Sequence, residues 1–202
     1  MKKKISVIGL GYVGLPLAIA LAKKFNVIGY DKNHERIRKL NQGVDDNGEA
    51  KKKDLKNKNL IFTSKVNLLK NQNFFIICVP TPIRNKKPDL TFLKEATKLV
   101  AKKVKPFDTI VYESTVYPGT TEEVCCPIIE RISKLKVNKN FYLGYSPERI
   151  NPGLNTKKIN KIKKIISGSS KKALMEIRNV YKPVISAGLF SAKSIKVAES
   201  AK

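Results

Sequence analysis

A glycine-rich segment near the start of the chain has the residue types that bind a dinucleotide. Gly9, Gly11 and Gly14 form the pattern GxGxxG, which follows a short apolar run and opens a longer one. Glycine permits a tight turn at the first position, close approach of a pyrophosphate at the second, and close helix–strand packing at the third. A helix that starts here offers the phosphates the free N–H groups of residues such as Tyr12 and Val13.

An acidic residue lies where such a site needs a ligand for the ribose. Asp31 follows Gly11 by 20 residues and ends the apolar run NVIGY. We expect its carboxylate to accept hydrogen bonds from the ribose hydroxyls and to repel a 2′-phosphate, which favours NAD over NADP. Lys32 and Arg36 weaken that preference, and Arg36 is a further candidate for contact with the cofactor. The alternative is a glycine turn with a purely structural role.

Two more predicted strand ends carry hydroxyl and proline residues. Val79, Pro80 and Thr81 end one strand, and Ser114 and Thr115 end the next. Ligands of open α/β sheets bind at the carboxyl ends of strands, so these residues are candidates for the nicotinamide side of the cofactor. Serine, threonine and proline are also ordinary turn residues, and the residues alone leave both interpretations open.

A third strand end places a carboxylate beside a guanidinium. Glu148 and Arg149 lie in the run YSPERINPG, where Glu148 is either a general base or a structural partner of Arg149. The single histidine, His34, lies on a polar predicted helix, and we expect it at the surface rather than in acid–base chemistry.

Alternating strand and helix patterns position these residues. The predicted strands are continuous and apolar, as in a parallel sheet that is covered on both faces. The fold class is therefore α/β, with a Rossmann-like, doubly wound, mostly parallel sheet and helices on both faces. Strands are predicted at residues 4–8, 26–30, 60–63, 73–79, 109–114 and 141–145, and helices at 12–24, 34–41, 64–70, 89–103 and 120–135.

The pattern changes beyond Glu148. Residues 149–163 are polar and predict a loop or linker. A strand at 164–167, a helix at 171–181 and a strand at 183–186 follow, and a last helix begins at residue 191. We therefore expect a dinucleotide-binding domain over residues 1–190 and the start of a central, dimer-forming helical region over 191–202.

Composition narrows the class of protein. The net charge of +25 comes almost entirely from lysines scattered along the chain, which indicates a solvated surface rather than a specific nucleic-acid site. No apolar run reaches the ~18–20 residues of a membrane span. Cys78, Cys125 and Cys126 have no metal-ligand spacing and are expected to be idle thiols in a reducing compartment. We expect a cytoplasmic protein without a metal site.

Five segments together resemble the nucleotide-sugar 6-dehydrogenases, a family acting on UDP-glucose or UDP-N-acetylhexosamines. They are VIGLGYVGLPLA, CVPTP, ESTVYPGTTEE, YSPERINPG and KVAESAK, in the order of that family. The resemblance implies NAD as cofactor and oxidation of the C6 alcohol of a UDP-sugar to the carboxylate through a cysteine-bound intermediate. It also implies that Thr115 helps to position the catalytic water, that Glu148 assists thioester hydrolysis, and that Lys202 stabilises the oxyanion.

The chain departs from UDP-glucose dehydrogenases at Pro152, where those enzymes carry a second carboxylate. The segment ERINPG is more similar to the matching segment of enzymes that act on UDP-N-acetylhexosamines, which are used for surface polysaccharides. The family's asparagine, dimer region, nucleophilic cysteine and UDP-binding domain are expected after residue 202. We therefore expect NAD binding without a complete reaction by these residues alone. The alternatives are a non-catalytic NAD-binding module and a dehydrogenase of the 3-hydroxyacyl-CoA or 6-phosphogluconate type.

Overall fold

The structure is a computed structural model, and it describes residues 3–148 and 161–201. Most of its strands contain runs of isoleucine, valine and phenylalanine, residues that favour a pleated, buried backbone. The strands are β1 (Lys4–Ile8), β2 (Asn26–Tyr30), β3 (Leu60–Thr63), β4 (Phe74–Ile77), β5 (Ile83–Arg84), β6 (Lys87–Pro88), β7 (Thr109–Tyr112), β8 (Tyr142–Tyr145), β9 (Lys164–Gly168) and β10 (Leu189–Ser191).

Helices connect most of these strands. They are α1 (Gly14–Ala22), α2 (His34–Asn41), α3 (Lys52–Leu55), α4 (Thr91–Ala101), α5 (Cys126–Ser133), α6 (Lys171–Tyr181) and α7 (Ile195–Ser200). A 3₁₀ helix spans Val66–Asn71, and a π-helical segment, Thr120–Cys125, precedes α5. None of the helices in the described ranges is both long and apolar enough to cross a membrane.

Eight strands form one sheet in the order β10-β9-β8-β7-β4-β1-β2-β3. The six strands from β8 to β3 run parallel to one another, while β9 pairs with β8 in the antiparallel direction and β10 runs parallel to β9. Because of this reversal, the start of β9 lies at the edge of the sheet where the six parallel strands end. A separate antiparallel hairpin, β5–β6, follows the end of β4.

Helices cover both faces of the sheet, as the sequence predicted. One buried apolar cluster joins the sheet to α1, α2 and α6, and the other joins it to α4, α5 and α7. The doubly wound α/β fold is therefore confirmed. The six parallel strands present their carboxyl ends at a single edge, which is where ligands of such sheets bind.

Several local predictions agree with the structure. The helix predicted over 34–41 is present as α2, and the side chain of Asn33 caps it by accepting a hydrogen bond from the Arg36 N–H. The strand at residue 164 and the helix over 171–181 are also present. His34 is exposed, with its Nδ1 atom 2.8 Å from the Ser64 hydroxyl.

Other predictions were wrong in their details. The helix predicted over 120–135 is divided into the π-helical segment and α5, and Lys134 at φ 62° ends it. Pro127 lies at the start of α5 and has no N–H for the preceding turn, which accounts for the irregular segment before it. The strand predicted at 183–186 is absent, and the last strand is β10.

The last helix begins at Ile195, because the Ser194 side chain accepts a hydrogen bond from the Val197 N–H and caps it there. Residue 191, where we predicted the helix to begin, belongs to β10. Most of the predicted loop at 149–163 lies outside the described residues. Arg149 and Lys202 also lie outside them.

Candidate functional site

The three glycines of the turn between β1 and α1 differ in the space around them. A Cβ on Gly9, whose φ is +92°, would lie 2.7 Å from the Cys78 carbonyl oxygen, and one on Gly14 would lie 1.8 Å from the Gly9 carbonyl oxygen. Among the described residues, a Cβ on Gly11 would have no heavy-atom neighbour within 4 Å. The first and third glycines are therefore required by packing, and the second leaves free space where a phosphate approaches the backbone.

The N-terminus of α1 is a suitable partner for that phosphate. Val13 is the N-cap residue, and its side chain makes no capping hydrogen bond. The first N–H groups of a helix lack acceptors within the helix and carry partial positive charge, so they bind anions well. Tyr12 precedes the cap and is 47% exposed.

The Asp31 carboxylate connects the glycine turn to the loop after β2. Its Oδ2 accepts a hydrogen bond from the Leu10 N–H at 2.8 Å, and its Oδ1 accepts one from the Asn33 N–H at 2.9 Å. A carboxylate has about four acceptor positions, so each oxygen can accept another hydrogen bond from a ribose hydroxyl. Asp31 is thus fixed in orientation and remains able to bind a ligand.

Arg36 is held by the protein on both sides of its guanidinium. Its Nε and Nη2 atoms both donate to the Leu10 carbonyl at 3.0 Å, and Nη1 forms an ion pair with Asp45 Oδ1 at 2.6 Å. The Arg36 side chain is only 10% exposed. These contacts stabilise the glycine turn, and they make Arg36 a poor ligand for a 2′-phosphate.

A cavity of about 440 Å³ opens between these elements, a size that suits a small-molecule site. Gly9, Gly11, Asp31 and Arg36 line one part of it, and the end of β4 lines another through Cys78, Val79 and Pro80. One face of α4 closes it, with Phe92, Glu95, Ala96 and Leu99. We did not predict this contribution of α4, although the apolar spacing of this helix was a usable signal.

The ends of β4 and β7 are bound to each other. The Ser114 hydroxyl donates to the Val79 carbonyl at 2.6 Å, and the Tyr145 hydroxyl donates to the Ser114 carbonyl at 3.1 Å. The side chain of Ser114 thus links the ends of β7 and β4, whereas the neighbouring Thr115 is exposed. The Thr81 hydroxyl is buried and has no hydrogen-bond partner in the described structure, so it is free to bind a ligand group.

A buried ionic cluster, Glu113–Lys164–Glu148, lies at the same edge of the sheet. Lys164 Nζ is 2.9 Å from Glu113 Oε2 and 3.3 Å from Glu148 Oε2, and none of the three side chains is more than 5% exposed. The Tyr181 hydroxyl donates a short hydrogen bond to Glu113 Oε1. Sequence reasoning found only Glu148, because a glutamate or a lysine at a strand end is usually solvated.

Burial governs the ionisation of this cluster. It raises the pKa of Glu113, against the opposing effect of the Lys164 ammonium. Burial also lowers the pKa of Lys164, but the two carboxylates outweigh that effect and raise it overall. Lys164 therefore stays protonated, and it stabilises the ionised forms of both carboxylates.

The loop after β7 is fixed by a residue that sequence reasoning missed. Glu199 of α7 is 2% exposed, and its carboxylate accepts hydrogen bonds from the Gly119 N–H at 2.6 Å and the Thr121 N–H at 2.9 Å. This contact holds α7 against the loop that carries Thr115. The segment KVAESAK was the only signal for it, through the resemblance alone.

A family model matches most of the chain. Residues 3–185 match the NAD-binding domain of the UDP-glucose/GDP-mannose dehydrogenase family. The chain belongs to this family. NAD is therefore the cofactor of the domain, and the free space beside Gly11, the cavity and the unpartnered Thr81 hydroxyl fit a dinucleotide.

Two curated relatives have the names of UDP-N-acetylhexosamine dehydrogenases. The chain is 51% identical to the UDP-N-acetyl-D-glucosamine 6-dehydrogenase of Salmonella typhi, over 98% of this chain and 47% of the relative. It is 36% identical to the UDP-N-acetyl-D-mannosamine dehydrogenase of Pyrococcus horikoshii, over 98% of this chain and 50% of the relative. The chain thus spans about half the length of these members of the dehydrogenase family.

Solved structures of the family agree with the fold. A UDP-D-ManNAc dehydrogenase from Pyrococcus horikoshii superposes with a TM-score of 0.90 at 35% identity, covering 96% of this chain and 48% of that one. An NDP-N-acetyl-D-galactosaminuronic acid dehydrogenase from Methanosarcina mazei gives 0.90 at 29% identity, covering 100% and 46%.

Proposed function

We propose that this chain is the NAD-binding part of a UDP-N-acetylhexosamine 6-dehydrogenase. Such an enzyme oxidises the C6 alcohol of the sugar to a carboxylate, and the product is a precursor for polysaccharide synthesis. The observation that carries the proposal is the position of Glu148 and Thr115 at the same sheet edge as the dinucleotide cavity. The names of the relatives from Salmonella typhi and Pyrococcus horikoshii support the substrate class.

Glu148 and Thr115 have different surroundings, which suit different roles. Glu148 is buried and forms an ion pair with Lys164. A carboxylate in such a site is able to assist hydrolysis of an acyl intermediate as a base. Thr115 is exposed at the end of β7, where its hydroxyl is able to orient a water molecule. Lys202, outside the described residues, completes the proposed catalytic set.

We further propose that these 202 residues bind NAD but do not by themselves complete the oxidation. The three cysteines are buried and free. Burial raises the pKa of Cys125 and of Cys126 to about 11 and raises that of Cys78 as well, so none has the thiolate character that a nucleophile needs. Assembly as a homodimer and a cytoplasmic location belong to the same proposal, and a reducing compartment suits unpaired thiols.

A chimera tests the proposal directly. This chain would replace the matching N-terminal part of the Salmonella typhi relative, and NADH formation would be followed with UDP-N-acetylglucosamine and UDP-N-acetylmannosamine. We expect NADH and the uronic acid from at least one of the two sugars, and greatly reduced rates in a Glu148→Gln chimera. A folded chimera that binds NAD but oxidises neither sugar would contradict the proposed substrate class. Uronic acid formed by the 202-residue chain alone would contradict the second proposal.

A further inference from the structure

A lysine, a glutamate and a phenylalanine meet across the dinucleotide cavity. Lys32 directly follows Asp31 after β2, whereas Phe92 and Glu95 lie on α4. Lys32 Nζ is 3.2 Å from Glu95 Oε2 and 4.5 Å from the centre of the Phe92 ring. All three residues line the cavity. Lys32 therefore links the loop after β2 to α4.

This link lies where the site distinguishes NAD from NADP. The carboxylate at the end of the second strand binds the ribose hydroxyls, and NADP carries a phosphate in place of one of them. A cation near that position accommodates the extra phosphate, as an arginine does in NADP-binding sites of this fold class. Among the described residues that line the cavity, the cationic ones are Lys32 and Arg36. Arg36 is bound to the Leu10 carbonyl and to Asp45, which leaves Lys32 as the cation for a 2′-phosphate.

The contacts of Lys32 hold its ammonium group on α4. The Lys32 side chain is 65% exposed, and a lysine side chain is flexible enough to turn toward a phosphate bound near Asp31. Glu95 attracts the ammonium group through the ion pair, and the Phe92 ring attracts it through a cation–π contact. A 2′-phosphate that recruits Lys32 has to break both contacts, whereas NAD breaks neither. The cost therefore falls on NADP alone.

We propose that Glu95 is a specificity-determining residue, which disfavours NADP by holding Lys32 on α4. The proposal rests on the NAD assignment and adds to the role of Asp31. From the sequence alone, Lys32 weakens the preference for NAD that Asp31 provides. In the structure Glu95 engages this lysine, so the preference is preserved.

The test is the ratio of the Kd for NADP to the Kd for NAD, measured by calorimetric titration of the chain as it exists. Low salt is used, because salt screens exposed charges. Glu95→Gln keeps the size of the side chain and removes the charge that holds Lys32. We expect the ratio to fall about two- to fivefold, the size of an exposed ion pair, with little change in the Kd for NAD.

Lys32→Gln separates this effect from direct repulsion between Glu95 and the 2′-phosphate. In the Lys32→Gln background, Glu95→Gln should leave the ratio unchanged, because no ammonium group remains to be released. An equal fall in both backgrounds would assign the effect to direct repulsion and would overturn the proposal.

Glu123→Gln is the matched control. Glu123 forms an ion pair with Lys196, and these side chains are 68% and 61% exposed, against 55% and 65% for Glu95 and Lys32. Glu123 lies outside the described lining of the cavity, so its loss should leave the ratio unchanged. The substituted side chains are all exposed, and circular dichroism confirms that each variant folds. A fall in Glu123→Gln as large as that in Glu95→Gln would show a general charge effect and would contradict the proposal.

An unchanged ratio in a folded Glu95→Gln chain would overturn this proposal and leave the NAD assignment intact. Absence of binding of either cofactor to the folded wild type would overturn both.

Discussion

The second glycine of the turn provides a perturbation that separates cofactor binding from folding. A Cβ on Gly11 would have no heavy atom of the described part of the chain within 4 Å, and the residue is not among those with positive φ. Gly11→Ala should therefore fold at least as well as the wild type, with a gain of about 0.4–1 kcal/mol from the smaller conformational freedom of the unfolded chain. The added methyl group occupies the space that the pyrophosphate needs.

The loss of NAD affinity follows from the contacts that the methyl group prevents. Displacing a phosphate from even one backbone N–H removes a hydrogen bond to a charged group, which contributes about 1.5–3 kcal/mol. The Kd for NAD should therefore rise by about 10- to 100-fold. Stability and affinity are expected to change in opposite directions, a combination that general damage to the fold does not produce.

Gly14→Ala is the matched comparison. Its Cβ would lie 1.8 Å from the Gly9 carbonyl oxygen, so the turn and α1 must separate, at a cost of about 1–3 kcal/mol of unfolding free energy. Calorimetric titration with NAD and urea denaturation followed by circular dichroism measure both quantities for both variants. A Gly11→Ala chain that binds NAD as tightly as the wild type would refute the placement of the pyrophosphate beside Gly11.

Three more predictions concern carboxylates and their partners. Asp31→Asn should reduce the preference for NAD over NADP by about tenfold in parallel titrations, because a neutral amide does not repel the 2′-phosphate; an unchanged preference would contradict the assigned role. Arg36→Ala leaves the fully buried Asp45 carboxylate without its cation and should lower the unfolding free energy in urea by about 2–4 kcal/mol, whereas an unchanged value would show that the pair is dispensable. Burial raises the pKa of Asp108 to about 6. The protonated Asp108 therefore contributes to the free energy of unfolding below about pH 4, and this contribution is lost as the pH rises through about 6. Asp108→Asn should therefore stabilise the chain by about 1–2 kcal/mol near pH 7 but not near pH 4, and a gain of equal size at both would contradict this reasoning.

The sequence was sufficient for features that depend on local physics. The glycine spacing, the strand before it and Asp31 together predicted the turn, and the three glycines have the distinct surroundings that the pattern implies. Asn33 caps α2 through its own side chain, and such a cap depends only on nearby residues. The helix predicted over 171–181 has the same bounds in the structure.

The buried ionic cluster was not predictable, because it depends on strand direction. A lysine at the start of a short apolar run is normally solvated, and the alternation of strands and helices does not say which strand is reversed. Once β9 is antiparallel, Lys164 lies beside two strand ends from distant parts of the sequence. Glu199 was missed for a similar reason, since its two N–H donors lie about 80 residues earlier in the chain.

The central claim is that the cavity beside Gly11 and Asp31 binds NAD in preference to NADP. A calorimetric titration of the purified chain with each cofactor tests it most directly. We predict saturable binding of NAD, with a Kd at least about tenfold lower than that for NADP, because Asp31 disfavours a 2′-phosphate and Arg36 is held by the protein. A chain that unfolds cooperatively but binds neither cofactor, or that binds NADP as tightly as NAD, would contradict the account.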